Sequence, residues 1–255
     1  DYGFCKRFPD AVDYISRQEW SYLLYQNMLS DYDTFKNKPV LNIEHGGSEA
    51  APYIVFPGSY TSAEECLKRN YQCAFAGVYS THYWQAAAWN VVIWNPFEQD
   101  ASFYKPKFDY FRHFTDLFQT YPFHEFQPAP WHNQAGYAMK HKNKDQYLFY
   151  VPKETYLFRA QFIFGKGKPT PISFKWFNTL TGEYSETITA QSRQSFHSPW
   201  YGQADCVLIA EQAETKSTEE ALTKPQKEFK DSVEYRKAIK PATSNYPLSD
   251  QNNNG

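Results

Sequence analysis

The sequence predicts an α/β half, then an all-β half, then a disordered polar tail, and three observations carry that assignment. Apolar runs alternate with helix-periodic segments as far as Pro128, the hydrophobic period then falls to two, and from Glu211 onward aromatic residues become scarce. The 255 residues include 21 Tyr, 21 Phe and 7 Trp, enough for a sizeable core. The mean hydropathy is -0.71, and no apolar run approaches the ~20 residues of a membrane-spanning helix, so no membrane partner is expected. The N-terminal stretch Asp1-Tyr2-Gly3-Phe4-Cys5-Lys6-Arg7 lacks the basic-then-apolar order of a signal peptide. Without an initiator Met, the chain is expected to be a piece of a longer one.

The elements follow in order. Residues 11–16 read as a strand, residues 19–29 as a helix carrying Trp20, Leu23, Leu24 and Met28, and Pro39 to Glu44 as a buried strand. Ser62 and Glu65 offer a capping box for a helix running to about Gly77. A third strand, Val78 to Trp84, and an amphipathic helix, Pro106 to Thr120, complete a strand-helix alternation that implies parallel strands with crossover helices. Pro128-Ala129-Pro130 marks a linker. Beyond it, residues 136–141, 146–151, 156–164, 172–178, 183–189 and 205–210 read as short strands between turns, the pattern of an antiparallel β-sandwich. Residues 211–255 hold eight acidic and seven basic side chains but only Phe229, Tyr235 and Tyr246 as aromatics, too little apolar surface to offset chain entropy. The expected domains are therefore 1–127, 128–211 and a disordered tail, 212–255.

A complete (β/α)8 barrel takes about 250 residues, and only half that length precedes the sandwich. The α/β half is thus expected to be the last three βα units of a TIM barrel whose first five lie upstream. Chemistry in such a fold sits at the carboxyl ends of the strands. That points to Arg17, Gln18 and Glu19, to Glu44 with His45 and Gly46, and to His82, Tyr83 and Trp84. Glu44 ends a nearly apolar strand and is followed by His45-Gly46-Gly47, where glycines let the backbone turn away and leave room for a ligand. The connection from Ser48 to Tyr60 is long for a βα loop, as functional loops often are.

Other chemistries find little support. Lys and Arg total 26 against 28 Asp and Glu, which gives no electrostatic footprint for nucleic acid or anionic lipid. An aromatic-rich, nearly neutral chain suits ligands with apolar faces and many hydroxyls, although on composition alone an aromatic core is the plainer account of the same rings. Cys5, Cys66, Cys73 and Cys206 form no CxxC pair. Cys66 and Cys73, on one helix, would lie roughly 10 Å apart, too far for a disulfide, which leaves two of the three two-bridge connectivities open; free buried thiols are the expected state. The histidines, His45, His82, His113, His124, His132, His141 and His197, show no HExxH spacing, and neither a P-loop nor a GxSxG elbow is present. No metal or cofactor is expected.

The stretches Lys38-Pro39-Val40-Leu41-Asn42-Ile43-Glu44-His45-Gly46-Gly47, Arg69-Asn70-Tyr71 and Ala76-Gly77-Val78-Tyr79-Ser80-Thr81-His82-Tyr83-Trp84-Gln85 resemble the end of the apiosidase-like glycoside hydrolase barrels of clan A. The stretches Tyr147 to Pro152, Trp176 to Gly182 and Asp205 to Leu208 resemble the sandwich that follows those barrels, often labelled a collagen-binding domain. The resemblance covers about residues 10–211. It implies a retaining mechanism with two carboxylates, in which Glu44 matches the nucleophile of the seventh strand and Trp84 matches the aromatic that floors the sugar subsite. The same resemblance implies a carbohydrate substrate and a secreted or extracytoplasmic location. The acid/base belongs to the fourth strand, which this sequence does not contain, and Glu19, Glu49, Glu98 and Glu125 do not replace it by position. Gln18, His45, His82 and Tyr83 are candidates to orient Glu44 or bond sugar hydroxyls, and Trp89, with Trp94, to extend the platform; packing is the plainer role for each. The alternative is a non-catalytic carbohydrate- or matrix-binding module.

Overall fold

A computed structural model describes residues 2–46, 48–49, 62–81, 84–85, 87–88, 91–92, 95, 97–98, 105–132, 137–156, 158–159, 170–192 and 195–213. Helix α1 (Tyr2–Arg7) and a 3-10 turn (Pro9–Ala11) lead into strand β1 (Ile15–Gln18), helix α2 (Leu24–Thr34) and strand β2 (Val40–Glu44). Short strand β3 (Ser48–Glu49), helix α3 (Ala63–Phe75) and strand β4 (Tyr79–Ser80) follow. Three two-residue strands, β5 (Trp84–Gln85), β6 (Ala87–Ala88) and β7 (Val91–Val92), precede helix α4 (Phe108–Thr120).

β1, β2 and β4 form a parallel sheet in the order β1-β2-β4, with Ile15 opposite Val40 and Leu41 opposite Tyr79. Parallel neighbours need crossover connections, which α2 and α3 supply. α2 buries one stripe, Leu24, Tyr25, Met28 and Asp31, and α3 a broader face, Cys66, Leu67, Asn70, Tyr71, Cys73, Ala74 and Phe75. Ser62 caps α3, its hydroxyl accepting from the Glu65 amide at 3.2 Å. Gly77 ends α3 at φ 79°, where a Cβ would lie 2.5 Å from the Tyr32 ring. β3 pairs in parallel with β5, Ser48 opposite Trp84, and β6 pairs antiparallel with β7.

Two early elements start later in the chain than their sequence pattern suggests. β1 begins at Ile15, whose amide bonds the Pro39 carbonyl at 2.8 Å, because Pro9–Ala11 takes up a 3-10 turn. α2 begins at Leu24 because Glu19 and Ser21 hold a loop: the Glu19 carboxylate accepts from the Ser21 amide at 2.9 Å, and the Ser21 hydroxyl accepts from the Leu23 amide at 3.2 Å. Trp20, expected on the helix, therefore sits in this loop and is 56% exposed.

The remaining strands are β8 (Phe126–Pro128), β9 (Ala138–His141), β10 (Gln146–Val151), β11 (Phe158–Arg159), β12 (Pro171–Asn178), β13 (Ile188–Gln191), β14 (Ser195–Phe196) and β15 (Cys206–Gln212). Six of them form an antiparallel sheet in the order β13-β12-β15-β10-β9-β8, and β11 pairs with β14 separately. The central strands are buried on both faces, which is why Tyr147 to Val151 and Cys206 to Ala210 read as unbroken apolar runs. Leu148, Tyr150, Phe177, Val207 and Ile209 join the core of the α/β elements, with Ile15, Met28, Tyr71, Phe75 and Leu117. Tyr147, Phe149, Phe174, Trp176 and Leu208 face the other way, towards Phe196 of β14. Tyr71 stacks on Tyr150 at 5.1 Å and 12°, and Tyr25 meets Tyr137 edge-on at 4.7 Å. Such pairs contribute about 1 kcal/mol each beyond their burial. The four cysteines are free and buried. No helix among the described residues is long and apolar enough to cross a membrane. The tail from residue 214 lies outside the described residues.

Candidate functional site

The carboxyl ends of β1 and β2 meet at a break in register. Arg17 lies opposite Asn42, but Gln18 lies opposite Glu44, so Ile43 is an extra residue on β2. Side chains alternate along a strand. Arg17 reaches Asp31 of α2, so it faces the helices, and Gln18 faces away from them. Asn42, opposite Arg17, likewise faces the helices, its Nδ2 lying 3.5 Å from Met28 Sδ on α2 and 3.8 Å from Cys73 Sγ on α3. Strict alternation would return Glu44 to that side. The bulge at Ile43 instead carries Glu44 to the open face, where Gln18 Nε2 donates to its Oε2.

Behind this face runs a polar network. Asn42 is fully buried. Its Oδ1 accepts from the Glu44 amide at 3.2 Å and the Glu19 amide at 3.4 Å, and its Nδ2 donates to the Glu19 carbonyl at 2.9 Å. Arg17 donates to Asp31 Oδ2 at 2.5 Å and to Glu19 Oε2 at 2.8 Å, while Asn27 Nδ2 donates to the same Glu19 oxygen at 3.0 Å. Tyr2 donates its hydroxyl to Asp31 and lies under the Arg17 guanidinium, 4.6 Å from ring centre to Cζ. Burial by itself would raise the Glu19 carboxyl pKa. The bonds from Ser21 and Arg17 outweigh it and hold that carboxyl below the usual value. Glu19 is thus a tied, ionised strut.

His45 is buried, and its Nε2 lies 2.9 Å from the Thr81 carbonyl, linking the end of β2 to the end of β4. Arg69 of α3 donates through Nη1 to the His45 carbonyl at 3.0 Å and to the Trp20 carbonyl at 3.4 Å. Gly46, at φ 89°, makes room for that guanidinium: a Cβ there would fall 1.8 Å from Nη1. Burial pushes the Cys73 thiol beneath Asn42 up to about 12. Among the described residues no three His, Cys, Asp or Glu side chains gather as a metal site.

Of the residues singled out from sequence, Gln18, Glu44 and His45 come together here. The backbone of Trp84 lies beside Ser48 in the β3–β5 pair. His82, Tyr83, Trp89 and Trp94 lie outside the described residues.

No protein-family model matches the chain, and no curated protein matches it. Solved structures do. A glycoside hydrolase family 5 protein from Bacteroides vulgatus ATCC 8482 aligns with a TM-score of 0.58 at 16% identity, over 79% of this chain and 50% of that one. A second structure, described as a glycoside hydrolase, aligns with a TM-score of 0.56 at 16% identity, over 79% of this chain and 53% of that one. The fold is glycoside-hydrolase-like. At such identity the likeness is one of fold, and the chain spans about half the length of the structures it matches.

Asp31 and the loop position of Trp20 carry no signal in the sequence pattern, and Asn42 and Arg69 stand only within stretches that carry the resemblance. The signal for Asn42 was present: a lone amide in the apolar run Val40-Leu41-Asn42-Ile43 must be hydrogen-bonded if buried. Arg69 and Asp31 belong to helix faces whose partners are distant in sequence.

Proposed function

We propose that this chain is the C-terminal part of a retaining glycoside hydrolase, with Glu44 as its nucleophile. The observation that carries the reading is a carboxylate at the carboxyl end of the central strand of a parallel sheet, turned to the open face beside Gln18, in a fold similar to glycoside hydrolases. Residues 1–127 would be the end of a (β/α)8 barrel, residues 128–211 a sandwich packed on it, and the rest a tail. Ile43, 40% exposed on the open face, suits a barrel interior completed by upstream strands.

In this reading a sugar lies over the open face. The Glu44 carboxylate attacks the anomeric carbon, forming a glycosyl-enzyme ester as the bond to the leaving oxygen breaks. A second carboxylic acid, in the upstream half, protonates that oxygen and afterwards takes a proton from the water that hydrolyses the ester. Gln18 holds one Glu44 oxygen and so orients the other. His45 fixes the ends of β2 and β4, while His82, Tyr83, Trp84 and Trp89 supply sugar contacts and the platform.

In the protein that includes the upstream half, Glu44→Gln should lower turnover by several orders of magnitude with its melting temperature held, because the attacking charge is gone. A mechanism-based fluoroglycoside should label a peptide within Pro39 to Gly47. Near-normal turnover in a folded Glu44→Gln protein would overturn the assignment of the nucleophile, whereas carbohydrate or matrix binding without turnover of any glycoside by the unaltered protein would favour a non-catalytic binding module instead.

A further inference from the structure

We propose that Asn42 is a positioning residue of this site, its carboxamide holding the one-residue bulge that turns Glu44 to the open face. The proposal rests on Glu44 being the nucleophile. Its basis is the disposition of three hydrogen bonds about one buried side chain. A bulge removes a residue from the strand ladder and leaves backbone groups needing other acceptors. The Glu44 amide, immediately after the extra residue, is taken at 3.2 Å by Asn42 Oδ1. The same oxygen takes the Glu19 amide of the neighbouring strand, and Nδ2 returns a bond to the Glu19 carbonyl. The carboxamide, with the Glu19 amide's bond to the Glu44 carbonyl at 3.2 Å, therefore clamps the ends of β1 and β2 at the offset that places Gln18 opposite Glu44.

Filling space does not account for an amide at this position. Its surroundings on the helix side are Met28 and Cys73, sulfur atoms against which an apolar side chain of the same branched shape, leucine, would pack without needing an amide. A leucine would take the Asn42 oxygen from the Glu44 amide and leave the Glu19 amide with the Glu44 carbonyl, at 3.2 Å, as its acceptor, and without the carboxamide the strand end would be free to revert to ordinary alternation. Reversion would swing the Glu44 carboxylate towards α2 and α3, away from Gln18. Asn42 touches neither sugar nor reacting atoms, so its effect should fall on the rate of attack rather than on binding.

The test uses the protein with its upstream half and a mechanism-based 2-fluoroglycoside. The label is first mapped in the unaltered protein, and a label away from Glu44 overturns the nucleophile assignment and the positioning role with it. With the label on Glu44, Asn42→Leu should slow labelling ~100-fold, the scale of an ångström misplacement, with the reagent's dissociation constant within about threefold, a split loss of packing alone would not give. Asn42→Asp, kept neutral by desolvation, preserves the oxygen and one donor and should restore labelling to within about tenfold of the unaltered rate. Wild-type labelling by Asn42→Leu, or Asn42→Asp no faster than Asn42→Leu, overturns the proposal. Should neither variant fold, amide exchange of the unaltered protein decides: a protected Glu44 amide supports the clamp, and one exchanging like open backbone overturns it.

Discussion

Arg17 and Asp31 show how much of this site is bought from residues that never meet a ligand. Asp31 is 1% exposed, and its carboxylate is compensated by the Arg17 guanidinium and the Tyr2 hydroxyl. Arg17→Met should destabilise the protein by about 3 kcal/mol, since removing one member of a buried pair strands the other charge; denaturant unfolding measures it, and a loss below about 1 kcal/mol would mean that Asp31 finds another partner. Gly46→Ala should cost about 1–3 kcal/mol, because an L side chain is strained at φ 89° and its Cβ displaces Arg69. Both Arg69 bonds, to the His45 and Trp20 carbonyls, would then be lost. At this scale the sequence was only partly informative. Glu44 and Gln18 could be named, and Glu44 expected to point into the mouth of a barrel, because chemistry at the end of a strand has a known place; the bulge itself could not, because alternation from Asn42 turns Glu44 the opposite way and a bulge in a parallel pair has no pattern of its own.

The helices and strands were far more legible than their ends. β10 was expected at residues 146–151 and spans Gln146–Val151, and α4 was expected from Pro106 and begins at Phe108. Long periodic segments fix themselves through a buried face, so α3 and the two central strands β10 and β15 stand close to where their patterns put them. β1, α2 and β13 are displaced: β13, expected over residues 183–189, runs Ile188–Gln191, and α2 starts late because side-chain bonds to the backbone at Glu19 and Ser21 compete with the helix for Trp20 to Leu23. Helix α1 was missed, since six residues with one buried side chain, Cys5, carry no period. The capping box at Ser62 is half realised: Ser62 accepts from the Glu65 amide, while the Glu65 carboxylate accepts from Arg69 Nε at 3.2 Å. Ser62→Ala should therefore cost about 1 kcal/mol through the lost cap, and Glu65→Ala should act chiefly by loosening Arg69, which a double-mutant cycle with Arg69→Ala would detect as coupling. Additive losses would show that Arg69 holds its two carbonyls unaided.

Across the whole molecule, aromatic residues join the α/β elements to the antiparallel sheet, and this determines how the protein meets alkali. Tyr71, Tyr150, Tyr25 and Tyr121 bring hydroxyls into one core with Phe75, Phe114 and Phe118 around them. Burial raises the phenol pKa of Tyr71, Tyr150 and Tyr25 well above the usual value, with the Asp205 carboxylate adding to it at Tyr71 and Tyr150, and burial pushes Tyr121 up to about 12. The sign is fixed by linkage. Unfolded tyrosines release protons near pH ~10 while the folded ones still hold theirs, so above that pH the unfolded state binds fewer protons and stability falls as pH rises. Stability from these groups is complete below pH ~10 and is lost progressively upward, through about 12 for Tyr121. A pH titration followed by circular dichroism and by tyrosinate absorbance should thus show a cooperative alkaline unfolding in which the absorbance of the buried tyrosines rises together with the loss of structure. Tyr150→Phe should move the midpoint upward, because it removes one of the groups that ionise on unfolding, at the cost of the hydroxyl bond to Asp205 seen as a lower melting temperature near neutrality. Complete tyrosinate formation in a protein that keeps its circular dichroism would mean that this core opens to solvent without unfolding, and the aromatic junction would not be what holds the helices to the sheet.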